Sequence, residues 1–383
     1  MSRILFTCRP LSGHFDPLLP LADAARSAGH DVAFASGDPV VGRARDAGYQ
    51  AFAAGPPDTF RSEWAPRFPE FTSLVGDAQR RFFFGQIFAN LELVPRAEDL
   101  ERVMTSWAPD LVLHEVAELA APLVSAKLGV ACVDVGYGPL VPREVLETAG
   151  AAAAPHWRAH GLEPRALAGL FRHLYIDPCP PGMQIPEIVH VHPVQALRPA
   201  TGKAPAGEPP HWLSDLPDRP LVYVTMGTVW NQDLDLFALV IDAVGDLANL
   251  IVTVGRQNDP DALGPQPATV IVRQFIPQHE ILARCDVVVA HGGAGTTLGA
   301  LAAGIPLLLL PRGADQWSNA DRVVAAGAGR LLLREELSIA TVRDSVSALL
   351  HQPHYRAGAR RVQAEMEAMP SASEVVRSLD AFL

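Results

Sequence analysis

A repeated rhythm constrains this chain most. Short apolar runs end in turns of small residues, and the segments that follow carry helical spacing. Before the midpoint such runs lie at residues 4–7, 31–36, 110–114 and 132–136. After it they lie at 221–225, 250–254, 270–272, 287–290 and 307–310. Wholly apolar runs suit strands buried on both faces, and strands alternating with helices predict parallel sheets in an α/β fold. Residues 198–220 interrupt the rhythm with a Pro-, Gly- and Ala-rich stretch of no regular period, which reads as a linker. At roughly 100–200 residues per domain, the 383 residues make two domains. The expected divisions are a first domain over 1–200, a linker over 201–219, a second domain over 220–365, and a helix at 366–383 that crosses back to the first domain.

Composition excludes several classes of function. The net charge of −11 argues against nucleic acid as the main partner, because gripping a polyanion needs a basic surface. The four cysteines, Cys8, Cys132, Cys179 and Cys285, form no CxxC pair and read as buried thiols of a cytoplasmic protein. No apolar stretch approaches about 18 residues, so no transmembrane helix is expected. Asp233-Leu234-Asp235 has the form of a metal-binding DxD, but it precedes Leu236, Phe237 and Ala238 and reads as the start of a surface helix.

Two loops carry candidate chemistry. In the second half, a strand ending at Ala290 runs into His291-Gly292-Gly293-Ala294-Gly295-Thr296-Thr297, and a helix is expected to start near Thr296. Glycines allow close backbone approach, and the amides and positive dipole end of a helix start attract phosphate. A ligand-free strand–helix turn is the alternative. The turn after 221–225, with Gly227 and Thr228, lies at another strand end and could close over the same phosphates. Asp315 and Gln316 offer an acceptor and an amide for sugar hydroxyls, unless Asp315 only caps a helix. In the first half, His14 lies in a loop at the carboxyl end of the first strand, where α/β domains present ligands. Asp16 is the expected N-cap of the next helix, with Pro17 at its first position and Gly29 as its stop. An imidazole titrates near neutral pH and suits a general base; a surface or capping histidine is the alternative. Phe60, Trp64, Phe68, Phe71, Phe82, Phe83, Phe84 and Phe88 cluster between about 55 and 100. They read either as core or as a wall for a flat, bulky acceptor.

The run Gly13-His14-Phe15-Asp16-Pro17-Leu18-Leu19-Pro20-Leu21 and the stretch from Phe275 to Asn319 resemble the large inverting glycosyltransferase family with the GT-B fold. Within it, the chain is most similar to actinomycete enzymes that glycosylate enediyne and macrolide antibiotics. The resemblance implies two Rossmann-like domains whose parallel sheets face across a cleft. It implies metal-independent, inverting transfer of a sugar from a nucleotide donor to a hydroxyl of a hydrophobic natural-product acceptor, with no bound cofactor. His14 would be the base, oriented by Glu115 or, failing that, Glu118. Phe275 would stack on the donor base and Ile276 would meet its edge. Gly227, Thr228, Gln278, His291, Gly293, Gly295 and Thr296 would hold the rest of the nucleotide, with Asp315 and Gln316 facing the sugar. Gly13, Phe60, Trp64, Phe83 and Tyr137 would face the acceptor. Relatives using UDP-glucose commonly carry a ribose-binding glutamate where this chain has Gly299. That favours a dTDP-linked deoxysugar, although the Asp315-Gln316 pair is also common in glucose users. A homodimer is left open. A nucleotide-sugar epimerase on the same fold and a non-catalytic nucleotide-sugar-binding auxiliary protein are the competing readings; a dehydrogenase ranks lower because the first loop lacks GxGxxG.

Overall fold

The computed structural model describes residues 1–57, 65–199, 201, 213, 216–227 and 231–383. The chain forms two compact units. The first comprises Met1–Cys179, Gln184–Arg198 and Met369–Leu383; the second comprises Pro180–Met183 and Pro199–Ala368.

The first unit holds strands β1 (Arg3–Thr7), β2 (Asp31–Ser36), β3 (Gln50–Ala53), β4 (Leu111–Glu115), β5 (Ala131–Val135), β6 (Tyr175–Asp177) and β7 (Val194–Ala196). They pair in parallel in the order β3-β2-β1-β4-β5-β6-β7. The helices that matter here are α1 (Ser12–Phe15), α2 (Leu19–Ser27), α3 (Leu93–Trp107) and α4 (Ala120–Leu128). Alternation along β1 explains why its Ile4–Phe6 run is apolar without a break. Ile4 and Phe6 join a core with Phe15, Leu18 and Leu21, while Leu5 joins a second core on the other face with Val112, Phe84 and Ile87.

The second unit holds β8 (Leu221–Thr225), β9 (Asn249–Thr253), β10 (Val270–Arg273), β11 (Val287–Ala290), β12 (Leu307–Leu309) and β13 (Gly329–Leu331), parallel in the order β10-β9-β8-β11-β12-β13. Its relevant helices are α5 (Leu234–Val244), α6 (Gln278–Leu282), α7 (Ala294–Ala302) and α8 (Gln316–Ala325). The chain ends in the first unit, where α9 (Ala372–Ser378) places Val375 and Val376 in the core that also holds Leu18 and Leu21. Both units are Rossmann-like, as in the GT-B fold.

Each sheet has one switch point, where the chain turns from building one side to building the other. It lies between β1 and β4 in the first unit and between β8 and β11 in the second. Ligands of open α/β sheets bind outside the strand carboxyl ends at such points.

Several details depart from the sequence expectations. Helical geometry begins at Ser12, so His14 lies on a one-turn helix and not in an open loop. Asp16 makes no capping bond; its carboxylate accepts from Arg43 instead, at 2.6 Å. Pro17 and Pro20 remove amide donors, and the stretch Asp16–Leu18 tightens into a 3-10 turn before α2. Gly29, at φ +90°, does follow the end of α2 as its stop. Strands β3, β6, β7 and β13 were not expected. β6, β7 and β13 have only three residues each, and β3 has no buried residue to give it a clear alternation. Asp233 caps α5, accepting from the Leu236 amide at 3.2 Å, and pairs with Arg312. All four cysteines are buried free thiols. Among the described residues, no helix is long and apolar enough to cross a membrane.

Candidate active site

At the switch point of the first unit, β1 and β4 run side by side with Thr7 opposite His114. That register sets the end of β4 beside the residues that follow β1. Glu115 Oε1 lies 3.0 Å from His14 Nδ1 and accepts from the Arg9 amide at 3.2 Å. Its other oxygen accepts from the Ala117 amide at 2.7 Å. Burial alone would raise the Glu115 carboxyl, but the His14 ring, the Ala117 amide and Arg9 outweigh it and hold the pKa down to about 2. These partners favour the ionised form of Glu115. The Tyr137 ring meets the His14 ring edge-on, with centroids 5.4 Å apart.

Glu118, the alternative partner, is occupied elsewhere. Its oxygens accept from the Ala120 and Ala121 amides at the start of α4, and Arg96 Nε lies 3.7 Å away. Sequence reasoning missed the cations of this cluster. Arg9 makes two bonds to Glu92, at 2.9 and 2.7 Å, with its guanidinium 4.0 Å from the Phe88 ring centre. Arg96, only 2% exposed, donates to the carbonyls of Cys8 and Ala54. A buried arginine has no local sequence signature, and only the turn-rich setting of Arg9 pointed toward the site.

The expected acceptor residues divide. Gly13 precedes His14 on α1, with open space where a Cβ would stand. Phe60 and Trp64 lie outside the described residues. Phe83 is half-buried and packs against the core; its ring stacks on Phe88 at 5.7 Å and meets Phe71 edge-on at 5.0 Å. Phe71, Phe82, Phe84 and Phe88 are buried core residues, which is the first of the two readings of the aromatic cluster.

At the switch point of the second unit, β8 leads into Gly227 and β11 into His291. A Cβ on Gly227 would stand 2.6 Å from His291 Nε2, and one on Gly293 would stand 2.5 Å from it. The imidazole is thus seated between two residues that must lack side chains, and Gly227 also has φ +71°, which favours glycine. Burial pushes the His291 pKa down to about 4, against Asp315 and the Thr225 backbone, so the ring is neutral at neutral pH. Helix α7 starts at Ala294, two residues earlier than expected, with Gly293 as its N-cap. The first amide closing an α7 turn is that of Thr297, which bonds to the Gly293 carbonyl at 3.0 Å. The amides of Ala294, Gly295 and Thr296 precede it and have no acceptor within the helix.

The residues expected to hold the donor, and Asn319 beside them, buttress this turn. Gln278 Nε2 donates to Thr296 Oγ1 at 2.8 Å and ties α6 to α7. Asp315 stands at the N-cap position of α8 but accepts from Asn319 Nδ2, at 2.8 Å, in place of a helix amide. Asn319 also donates to the Gly292 carbonyl at 2.8 Å, a role the sequence did not reveal. Gln316 is buried, and its carbonyl oxygen accepts from the Arg312 and Gly313 amides, so half of its polar capacity shapes its own loop. Phe275 is 48% exposed, with the Arg256 guanidinium 3.9 Å from its ring centre, while Ile276 is buried. Thr228 lies outside the described residues.

Comparison with known proteins agrees with this architecture. Residues 23–227 match the N-terminal domain of the erythromycin biosynthesis protein CIII-like family, and residues 238–382 match its C-terminal domain. The chain is 31% identical to the L-demethylnoviosyl transferase of Streptomyces niveus, over 99% of this chain and 98% of that protein. It is 27% identical to the TDP-daunosamine transferase DnrS of Streptomyces peucetius, over 99% and 96% of the two chains. Among solved structures, the glycosyltransferase SsfS6 of Streptomyces sp. SF2575, complexed with thymidine diphosphate, superposes with a TM-score of 0.79 at 26% identity, over 100% of both chains. The chain therefore belongs to the erythromycin biosynthesis protein CIII-like family and is a glycosyltransferase.

Proposed function

We propose that the chain transfers a deoxysugar from a dTDP-linked donor to a hydroxyl of a hydrophobic natural product, with inversion and with His14 as the base. The observation that carries the reading is the His14–Glu115 pair at the first switch point. A carboxylate at Nδ1 draws the ring hydrogen to that nitrogen and leaves the Nε2 lone pair to take a proton. The acceptor oxygen then forms its bond to the anomeric carbon as the bond to the diphosphate oxygen breaks. The electron pair leaves with the nucleoside diphosphate, and the acceptor's proton stays on His14. A single displacement inverts the centre.

The leaving diphosphate gains charge, which the amides of 294–296, the start of α7 and the neutral His291 would stabilise. That arrangement supplies stabilisation without a metal, so EDTA should leave the activity intact; loss of activity restored by magnesium would contradict this. The thymidine diphosphate of SsfS6 supports a dTDP donor, as does Gly299. A Cβ on Gly299 would lie 3.2 Å from the Leu282 Cδ1 methyl and 3.9 Å from Gln278 Oε1, and glycine itself offers no side chain to a ribose hydroxyl. The acceptors that relatives' names print, tylactone and aklavinone, support the acceptor class.

The test is His14→Ala assayed by mass spectrometry with a dTDP-sugar. Turnover should fall about 100-fold or more, as expected for loss of a general base. Parental turnover would eliminate His14 as the base.

A further inference from the structure

A second histidine, His114, stands directly before Glu115. His114 is 1% exposed and partners Asp134 in the β4–β5 register. Its Nδ1 lies 2.9 Å from the carbonyl oxygen of Glu118 and 3.1 Å from that of Glu115. Carbonyl oxygens only accept, so Nδ1 carries a hydrogen. Its Nε2 lies 3.1 Å from Asp134 Oδ1, within ion-pair distance but not aligned for a hydrogen bond, and that carboxylate is also buried. A lone pair facing a buried carboxylate would be repelled, whereas a proton there makes an ion pair. The other Asp134 oxygen accepts from the Phe171 amide at 3.0 Å.

Resting on the reading of His14 as base, we propose that His114 is a positioning residue: an imidazolium, paired with Asp134, whose Nδ1 hydrogen clamps the 115–118 turn and so delivers Glu115 to His14. The turn needs such a clamp. Its two carboxylates point to different partners, Glu115 to His14 and Glu118 to the start of α4, and both are set by the backbone that joins them. The titratable groups around His114 are Glu115 and Glu118 on its own turn, Asp134 and Cys132 on β5, Arg96 from α3 through Glu118, and His173, Arg165 and Arg172 along the adjoining cavity wall. Burial opposes the charge on the ring, but the partners on β5 outweigh it and raise its pKa well above the usual value.

Two side chains separate the ring's functions. Asn in place of His114 keeps a donor near the Nδ1 position, and Gln keeps one near Nε2. His114→Gln should lower kcat roughly 10-fold or more, short of the ~100-fold that an ångström of misplacement can cost. Its donor KM should hold, and the acid limb of its pH–rate profile should move. His114→Asn should keep most of the parental kcat and the parental limb even where its melting temperature is the lower of the two. If both variants instead lose activity in proportion to melting temperature, or both keep parental kcat, the clamp is wrong. Because either variant could fail to fold, nitrogen NMR of the parent's histidine rings supplies a second readout. Both ring nitrogens of His114 should carry hydrogens at pH 7; a neutral single-hydrogen ring at pH 7 would overturn the proposal. Parental turnover in His14→Ala would sink the base assignment alone, leaving the protonation state of His114 to stand or fall on the NMR.

Discussion

The two units share a topology and differ in what stands at its switch point. Beside β1 and β4 lies a dense set of paired charges: Glu115 with His14, Arg9 with Glu92, Arg96 with Glu118, His114 with Asp134. Beside β8 and β11 the chain instead removes side chains. Gly227 and Gly293 make room for one neutral imidazole, and the start of α7 offers amides. The first arrangement can hold and move a proton, because its ionisable groups are held by polar partners at fixed distances. The second suits an anion, because it presents backbone amides and a neutral imidazole. On the proposed reading, one sheet plan serves two chemistries, and the choice is made by a handful of residues beyond the strand ends.

The comparison can be broken first on the charged side. Glu115→Ala should lower kcat on the order of 100-fold, the cost of a misplaced catalytic group, with dTDP affinity kept. Loss of nucleotide binding without loss of turnover at saturation would reverse the roles assigned to the two sites. On the glycine side, Gly227→Ala forces a methyl against His291, and overpacking of this kind costs about 1–3 kcal/mol. If about 1.4 kcal/mol of that falls on the bound state, calorimetry should show dTDP affinity about tenfold weaker.

The acid response sharpens the contrast. The His291 ring is depressed to about 4 in the folded chain, so the unfolded chain binds its proton first as pH falls below about 6.5. Stability from this group is present above that range and is lost toward pH 4, by about 1–2 kcal/mol between pH 7 and 5. Asp177, raised by burial to about 6, acts in the opposite direction, since the unfolded chain releases its proton first. The quantity to measure is therefore the denaturant stability of the parent minus that of His291→Asn at each pH. A difference that does not change with pH would mean the ring is not held neutral. The smallest effect concerns the base and ribose. dTDP should bind more tightly than UDP by roughly 2–10-fold, the worth of one hydrogen bond, and Gly299→Glu should narrow the gap. Tighter UDP binding by the parent would remove the deoxyribose argument.

Legibility in the sequence followed the same division. The second site is contiguous: His291 to Thr297 can be read as one turn, and only the helix start moved, because Gly293 rather than a later residue takes the cap. The first site is assembled from residues about a hundred positions apart. His14 was legible from its own run, but its partner depended on β4 lying beside β1, and an apolar run does not say which strand is its neighbour. The ion pairs of Arg9 and Arg96 and the His114–Asp134 pair were invisible for the same reason. The aromatics between 55 and 100 were readable as a cluster but not as core or wall, since aromatic composition is the same for both; of those described, Phe71, Phe82, Phe84 and Phe88 are core.

The division of labour is tested most directly by titrating dTDP into His14→Ala and Gly293→Val side by side. The account predicts parental affinity in the first and at least a tenfold loss in the second, where the new side chain would drive into His291. Weakened binding in His14→Ala together with parental binding in Gly293→Val would contradict it.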